Sequence, residues 1–210
     1  MSPGLSVQLG EWISTWRWDS KLRGEDAVLN GIRTGAGLWS PAPKTTENTM
    51  TQSLRENLHL VSDPTNLDAS VTEVFEMMLG VSCESIPVGK IVEIDTITAV
   101  VGFGGLLSGA CVFSCGQTTA LAVAAKLTGM DFPEIDDTVK DAIGEVCNML
   151  AGTWKGRVPD LSANCGLSIP AVITGNNYHI HVQAPEFRLD HMYRFDGADF
   201  CVTIICDGLQ

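Results

Sequence analysis

Residues 137–152 carry an amphipathic helical pattern with one bulky side. Apolar residues recur there at spacings of three and four, the period that brings side chains onto one face of an α-helix. The residues of this stripe are Val139, Ile143, Val146, Met149 and Leu150. The pattern predicts a helix that follows a cap at Asp137 or Thr138 and packs through the stripe.

The opposite side of this helix holds an acid and an amide three residues apart, Glu145 and Asn148. Asp141 and Gly152 share that side, and Gly144 lies on or beside it. Each glycine costs a helix about 1 kcal/mol relative to alanine, so two of them indicate close approach by another backbone or molecule. Glu145 and Asn148 are candidates for chemistry, and Asp141, Gly144 and Gly152 are candidates for partner contacts. The alternative for the pair is an ordinary solvated face, and Asp141 is explained more simply as a first-turn acid favoured by the helix dipole.

The same period predicts two further helices. One is capped by Asp68 or Ser70 and ends at Gly80. Its apolar positions are Val71, Val74, Phe75, Met78 and Leu79. The other covers residues 118–127, is rich in alanine and is stopped by Gly129.

Strand patterns fill most of the remaining chain. Residues 91–101 and 106–115 are rich in β-branched or apolar residues and flank a glycine cluster, which predicts an antiparallel hairpin. Because a strand follows these glycines, they do not fit a phosphate-binding loop, which opens a helix. Three more strands are predicted over 165–173, 178–184 and 200–206, the first two joined by a turn at 175–177. Helices separated from paired strands predict an α+β fold, with long helices packed on a mostly antiparallel sheet.

The chain divides into two regions at about residue 50. Residues 1–49 show little periodicity and several prolines and glycines, which is typical of a weakly ordered N-terminal extension. A start codon assigned too far upstream would produce the same picture. Residues 50–210 carry the regular pattern and are predicted to form one domain.

Composition narrows the compartment and the partners. The formal net charge is −12, and residues 50–210 hold eight basic against twenty acidic side chains. Such a surface repels phosphate backbones and anionic lipid, so nucleic acid and membrane are poor partners and a basic protein surface is a better one. Seven scattered cysteines, an odd number, predict free thiols in a reducing cytoplasm. No apolar span of membrane length occurs in the sequence, and the charged residues among the first 25 predict no secretory signal.

Other constellations give weaker hypotheses. His179 and His181 share a strand face and suggest a metal site with His191 or Cys206, but no further ligand has typical spacing. An exposed alternating strand explains the two histidines without a metal. The sequence therefore predicts no metal or other cofactor bound by this chain. Cys111 and Cys115 are interpreted as small core residues, and so is Cys147 beside the apolar stripe.

A short internal repeat links the two halves of the domain. Residues 73–80 read Glu-Val-Phe-Glu-Met-Met-Leu-Gly, and residues 145–152 read Glu-Val-Cys-Asn-Met-Leu-Ala-Gly. Four of the eight positions are identical. The repeat predicts two halves, each a helix plus antiparallel strands. Because Glu76 stands where the second copy has Asn148, the acid and amide pair occurs once.

With this repeat in view, residues 60–206 resemble the chemotaxis phosphatases of the CheC, CheX and FliY type, and most closely the CheX-like domain. The signature of that family is matched by Asp141, Glu145, Asn148 and Pro170. Residues 75–80, 102–109 and 167–170 support the match. CheX-like members carry the Glu and Asn pair in one half only, as this chain does, whereas CheC-like members usually carry it in both halves.

The resemblance implies a CheC-like fold and a function. The substrate would be the phospho-aspartate of a CheY-like receiver, which supplies its own Mg²⁺. Asn148 would orient the attacking water, Glu145 would pair with the receiver's lysine, and the protein would form a homodimer. A neutral amide suits this role because it both donates and accepts hydrogen bonds, whereas a carboxylate would repel the phosphoryl group. Glu76 should therefore make the first copy a poor catalyst.

Two alternatives stay open at this point. The domain could be a non-catalytic module that binds receivers or a flagellar or signalling assembly, in which case the wild type hydrolyses nothing. The pair could also be surface decoration on a structural domain, in which case no receiver binds.

Overall fold

The computed structural model describes residues 61–89, 96–175 and 185–209. Helix α1 (Pro64–Val74) continues into a π-helical turn (Phe75–Leu79); the later helices are α2 (Gln117–Thr128), α3 (Asp137–Gly156) and α4 (Pro159–Asn164). The strands are β1 (Glu84–Ile86), β2 (Thr96–Gly105), β3 (Leu107–Gly116), β4 (Cys165–Leu167), β5 (Ala171–Gly175), β6 (Phe187–Phe195) and β7 (Ala198–Leu209). No helix in these ranges is long and apolar enough to cross a membrane. The extension predicted over 1–49 lies outside the described residues.

The described strands form one seven-stranded antiparallel sheet. Its order is β1-β6-β7-β3-β2, and β4 and β5 pair one after the other with the outer side of β2. The predicted hairpin is confirmed as β2 and β3, with Thr96 opposite Gly116 and Phe103 opposite Gly109. Helix α1 precedes β1 to β3 and α3 precedes β4 to β7, so the α+β prediction is confirmed.

The hydrophobic core lies between the helices and one face of this sheet. The stripe of α3 is buried as predicted at Val139, Ile143, Val146 and Leu150. Alternate residues of β2 meet the helices, since side chains of a strand point to opposite faces in turn. These residues are Ile97, Ala99, Val101 and Phe103. Trp154 extends the α3 stripe, and its ring centroid lies 5.2 Å from that of Phe103.

The predicted caps of α1 and α3 are wrong by small shifts along the chain. Helix α1 begins at Pro64 and not near Asp68, because Asp63 caps it by accepting a hydrogen bond from a backbone amide of the first turn. The predicted end at Gly80 is confirmed, with a left-handed φ of 68°. Helix α3 is capped by Asp136, whose carboxylate accepts from the Val139 amide at 2.9 Å.

Replacing Asp136 with alanine removes that capping bond. We expect the free energy of unfolding to fall by about 1 kcal/mol, measured by urea denaturation, because an amide of the first turn loses its partner. The matched control is Asp137→Ala, which removes an exposed carboxylate 2.8 Å from Lys140 Nζ and no capping bond. Its loss should be the smaller, and equal losses would contradict the assignment of Asp136 as the cap.

The strand predictions need correction at the glycines and at the sheet edge. Gly102 and Gly104 lie within β2, and the turn comes at Gly105, whose φ is 113°. The strand predicted over 165–173 is two strands, β4 and β5, separated by residues 168–170. The strand predicted over 178–184 lies outside the described residues, as does most of its turn. Helix α4 and strands β1 and β6 were missed from the sequence, and β6 pairs with both β1 and β7.

Candidate functional site

Helix α3 presents the predicted pair at its surface. Asp141 and Glu145 are exposed, and Asn148 is half-buried. Between residues that the structure describes, none of these three side chains makes a hydrogen bond or a salt bridge. Their polar atoms are therefore not committed to holding the described part of the fold together. This is the state expected of groups that await a partner.

The edge strands β4 and β5 run beside this face of α3. A methyl group built on Gly144 would lie 3.3 Å from Pro170 Cβ, and one built on Gly152 would lie 3.9 Å from Leu167 Cδ1. Asn148 is four residues from each glycine, so the three share one row along the helix. Asn148 therefore lies between these two contacts, level with residues 168–169 of the edge.

Ser168 fixes the break between β4 and β5. Its backbone amide donates to the Gly102 carbonyl at 2.9 Å, and its Oγ accepts from the Gly102 amide at 2.9 Å. The same Oγ donates to the Ile169 carbonyl at 2.9 Å. At the break, the Ser168 hydroxyl takes the place of the strand partner to which the Gly102 amide would otherwise donate. The backbone hydrogen-bonding groups of Gly102 therefore stay satisfied. Pro170 then leads the chain into β5, which begins at Ala171.

Gly144 is the predicted partner-binding residue that the structure places differently. It is buried, and its missing side chain makes room for Pro170 and Val172. The close approach that its glycine indicated is made by this chain's own edge strand. Gly152 is half-buried and has more space around it. Sequence spacing could not separate the two, because the neighbour of Gly144 is 26 residues away in the chain.

Gly152→Ala should therefore stabilise the domain. The added methyl would make an ordinary contact 3.9 Å from Leu167, and alanine is favoured over glycine in a helix by up to about 1 kcal/mol. We expect a gain of roughly 0.5–1 kcal/mol in the free energy of unfolding, measured with urea. The comparison variant Gly144→Ala should gain less, because its methyl would press on Pro170. A larger gain at residue 144 would show that the edge strand is free to move away.

The first copy of the repeat differs from the second by more than Glu76. Glu73, the counterpart of Glu145, forms a salt bridge to Arg157. Arg157 also donates to the Ala69 carbonyl and to Ser70 Oγ, so it is anchored on α1. Glu76 lies in the π-helical turn, where the residue period differs from that of α3. The first copy therefore lacks the amide, and the acid at its Glu145 position is bonded to Arg157.

The metal site considered from the sequence is not found among the described residues. The described residues hold no group of three side chains suited to bind a metal, and His179 and His181 lie outside them. His191 lies 3.0 Å from an Asp68 carboxylate oxygen, which also accepts from the Tyr193 hydroxyl.

The cysteines are free thiols and do not form a nucleophile site. The core placement predicted for Cys111, Cys115 and Cys147 is confirmed, since all three are fully buried. A hydrogen bond with Cys147 and burial raise the pKa of Cys111, and burial raises the pKa of Cys206 to about 12. Thiols with raised pKa values stay protonated at neutral pH and are poor nucleophiles.

Comparisons with known proteins agree with this geometry. Residues 97–190 match the family model described as chemotaxis phosphatase CheX, and this range contains all of α3, β4 and β5. The chain is 28% identical over 118 residues to the CheY-P phosphatase CheX of Thermotoga maritima, covering 54% of this chain and 76% of that one.

Solved structures show the same fold. The CheX protein of Desulfovibrio desulfuricans superposes with a TM-score of 0.57 at 23% identity, over 68% of this chain and 97% of that one. CheX in a complex with CheY, BeF₃ and Mg²⁺ from Borrelia burgdorferi gives a TM-score of 0.60 at 22% identity, over 70% and 99%. A CheC-like superfamily protein of Shewanella gives 0.59 at 19%, over 69% and 96%. The match over residues 97–190, the relative from Thermotoga maritima and the shared fold together support a CheX-like domain of the CheC, CheX and FliY family of chemotaxis phosphatases.

Proposed function

We propose that this protein is a protein-aspartyl-phosphate phosphatase that hydrolyses the phospho-aspartate of a CheY-like receiver, in chemotaxis or related two-component signalling in the cytoplasm. The observation that carries the proposal is the pair on α3. Asn148 and Glu145 lie side by side on one helical turn, and neither bonds to another described residue. The first copy has its acid tied to Arg157. The relative from Thermotoga maritima is a CheY-P phosphatase, which supports the same chemistry here.

Asn148 is proposed to position the attacking water. Phosphoryl transfer depends mainly on in-line placement and charge stabilisation, and an amide can accept from water while donating to a phosphoryl oxygen. The edge strand restrains this part of the helix, because Pro170 and Leu167 pack one turn before and one turn after Asn148. Such packing limits the number of positions that the amide can take, which lowers the entropy cost of orienting the water.

Glu145 is proposed to pair with a lysine of the receiver. It is exposed and lies three residues before Asn148, so an ammonium bound there would fix the depth to which the amide enters the receiver's site. Asp141 adds a second exposed carboxylate one turn earlier, which would attract the same basic surface. Mg²⁺ would come with the receiver and neutralise charge on the phosphoryl group. The Borrelia burgdorferi complex contains CheX, CheY, BeF₃ and Mg²⁺ together, which supports a reaction in which a receiver and Mg²⁺ meet a CheX protein.

A homodimer is proposed through a sheet edge. Within the described residues the sheet ends at β1 on one side and at β4 and β5 on the other. Unpaired edge groups favour pairing with a second copy. Light scattering during size exclusion would give the mass directly, and a monomer at micromolar concentration would rule the proposal out.

The second candidate is a receiver-binding adaptor without turnover. The first copy has Glu76 at the position of the amide, and its Glu73 is bonded to Arg157, so one of the two matching faces lacks the proposed catalytic pair, which favours a binding role. Both candidates predict binding to a receiver, so only turnover separates them.

The test is phosphate release from a panel of receivers from the same cell, each charged with a small phosphodonor in the presence of Mg²⁺. Full-length protein is added at substoichiometric concentration, so that only repeated turnover accelerates the release. Acceleration with at least one receiver supports the phosphatase. Binding to a BeF₃-loaded receiver without acceleration would leave the adaptor, and neither binding nor acceleration would remove both.

A further inference from the structure

We infer that Ile169 is a specificity-determining anchor for the receiver, which inserts into an apolar recess beside the phospho-aspartate. The inference rests on the proposed function and adds a contact that the acid and amide pair does not supply. Ile169 is 76% exposed, although it is a large β-branched aliphatic residue. Single exposed aliphatic residues are common, so exposure alone decides nothing. Ile169 is distinguished by the hydrogen-bonded backbone that carries it and by its position beside Asn148.

The backbone around Ile169 is held rigidly. Leu167 and Pro170 both pack toward α3, so two residues stand between them where a regular strand would have one. This is the geometry of a bulge, which displaces a side chain from the regular pattern of the edge. Ser168 bonds to Gly102 through both its amide and its hydroxyl, and its hydroxyl donates to the Ile169 carbonyl. An anchor on such a backbone loses little conformational freedom when it binds.

The position of Ile169 ties it to the catalytic pair. Gly144 and Gly152, which contact the two ends of the bulge, are about 12 Å apart along the helix, and Asn148 lies midway. Ile169 is therefore within about one helical turn of Asn148 along the axis. A receiver large enough to enclose the Asn148 amide must also cover this part of the edge. The occupant is thus the same receiver, through a surface continuous with the proposed catalytic contact.

The chemistry of the contact complements the polar pair. Glu145 and Asn148 can set orientation and pair with polar groups of the receiver, but they bury little apolar surface. A buried aliphatic anchor beside them would supply affinity and exclude water from the reacting centre. Receivers share their charged reaction centre, so an apolar recess at its rim is the place where a phosphatase can tell one receiver from another.

The test uses steady-state phosphate release with the receiver that the wild type accelerates, together with binding to its BeF₃-loaded form. Ile169→Ala should raise KM and Kd about tenfold and Ile169→Asp about a hundredfold, while kcat changes less than about threefold. Ile169→Leu should restore most of the affinity. The matched control is Val88→Asp. Val88 is 65% exposed and follows β1 at the opposite edge of the sheet, so its replacement should leave both constants unchanged.

The possible failures are distinguishable. Wild-type KM in Ile169→Asp, or a fall in kcat with KM unchanged, would overturn the anchor while leaving the phosphatase in place. An equal rise in KM in Val88→Asp would also overturn it, because the effect would then be general charge repulsion. A wild type that accelerates no receiver would overturn the proposed function and this inference with it.

Discussion

Asn148→Ala is expected to lower kcat for phosphate release by about 10²- to 10³-fold, the loss typical when one polar group that stabilises a transition state is removed. The receiver affinity should change less than about threefold, because the amide acts on the water and the phosphoryl group rather than on the receiver surface. Single-turnover phosphate release measures the first quantity, and titration with a BeF₃-loaded receiver measures the second.

Two further variants make the result specific. Asn148→Asp keeps the shape but adds a negative charge, so it should lose turnover and also bind the phosphorylated receiver more weakly. Glu76→Ala changes the counterpart in the first copy, which is exposed, and should leave both constants as they are. Retained turnover in Asn148→Ala would contradict the role given to the amide. A fall in affinity that matches the fall in kcat/KM would make Asn148 a binding residue only.

The helix that carries this site could be predicted from the sequence because its information is local. The apolar stripe of α3 repeats within a few residues, and every turn of the helix confirms the same buried side. The same helical period of about 3.6 residues per turn places Glu145 and Asn148 opposite that stripe. The cap was misplaced because Asp136, Asp137 and Thr138 are all able to cap a helix, and only the observed bond to the Val139 amide decides between them.

The edge beside the site could not be predicted, because its information is distant in sequence. The break between β4 and β5 depends on hydrogen bonds between Ser168 and Gly102, which is 66 residues earlier. The role of Gly144 depends on Pro170. Neither relation has a periodic signature. The acid and amide pair could therefore be predicted from the sequence, but the bulge next to it could not.

Strand β6 was missed for another reason. It does alternate, with Phe187, Leu189, Tyr193 and Phe195 at odd positions, and this signal could have identified it. Several charged residues in the same segment obscure this alternation. The structure pairs them: Arg188 with Asp190, and Arg194 with Asp199 on β7. Charged residues on a strand are tolerated when a neighbouring side chain neutralises them, which a reading of one segment by itself does not reveal.

Glu145→Ala is expected to raise KM and the Kd for the receiver roughly 10- to 100-fold, the range for losing a hydrogen bond between charged partners. The decisive experiment is a double-mutant cycle with the receiver's active-site lysine changed to alanine. If the two groups pair, the double variant should bind about as weakly as either single one. Full additivity of the two losses would show that Glu145 contacts something else.

The matched control for that cycle is Asp141→Ala, which removes the same charge one turn earlier on the same face. Asp141 is exposed and is assigned only to attraction of the basic surface, so its loss should slow association modestly and lose its effect at high salt. The Glu145 effect should persist at high salt, because a contact buried beneath the receiver is screened far less than an exposed one. If both variants respond to salt alike, the acidic face of α3 acts only through its net charge. The register of docking would then have to come from Asn148 and the edge strand.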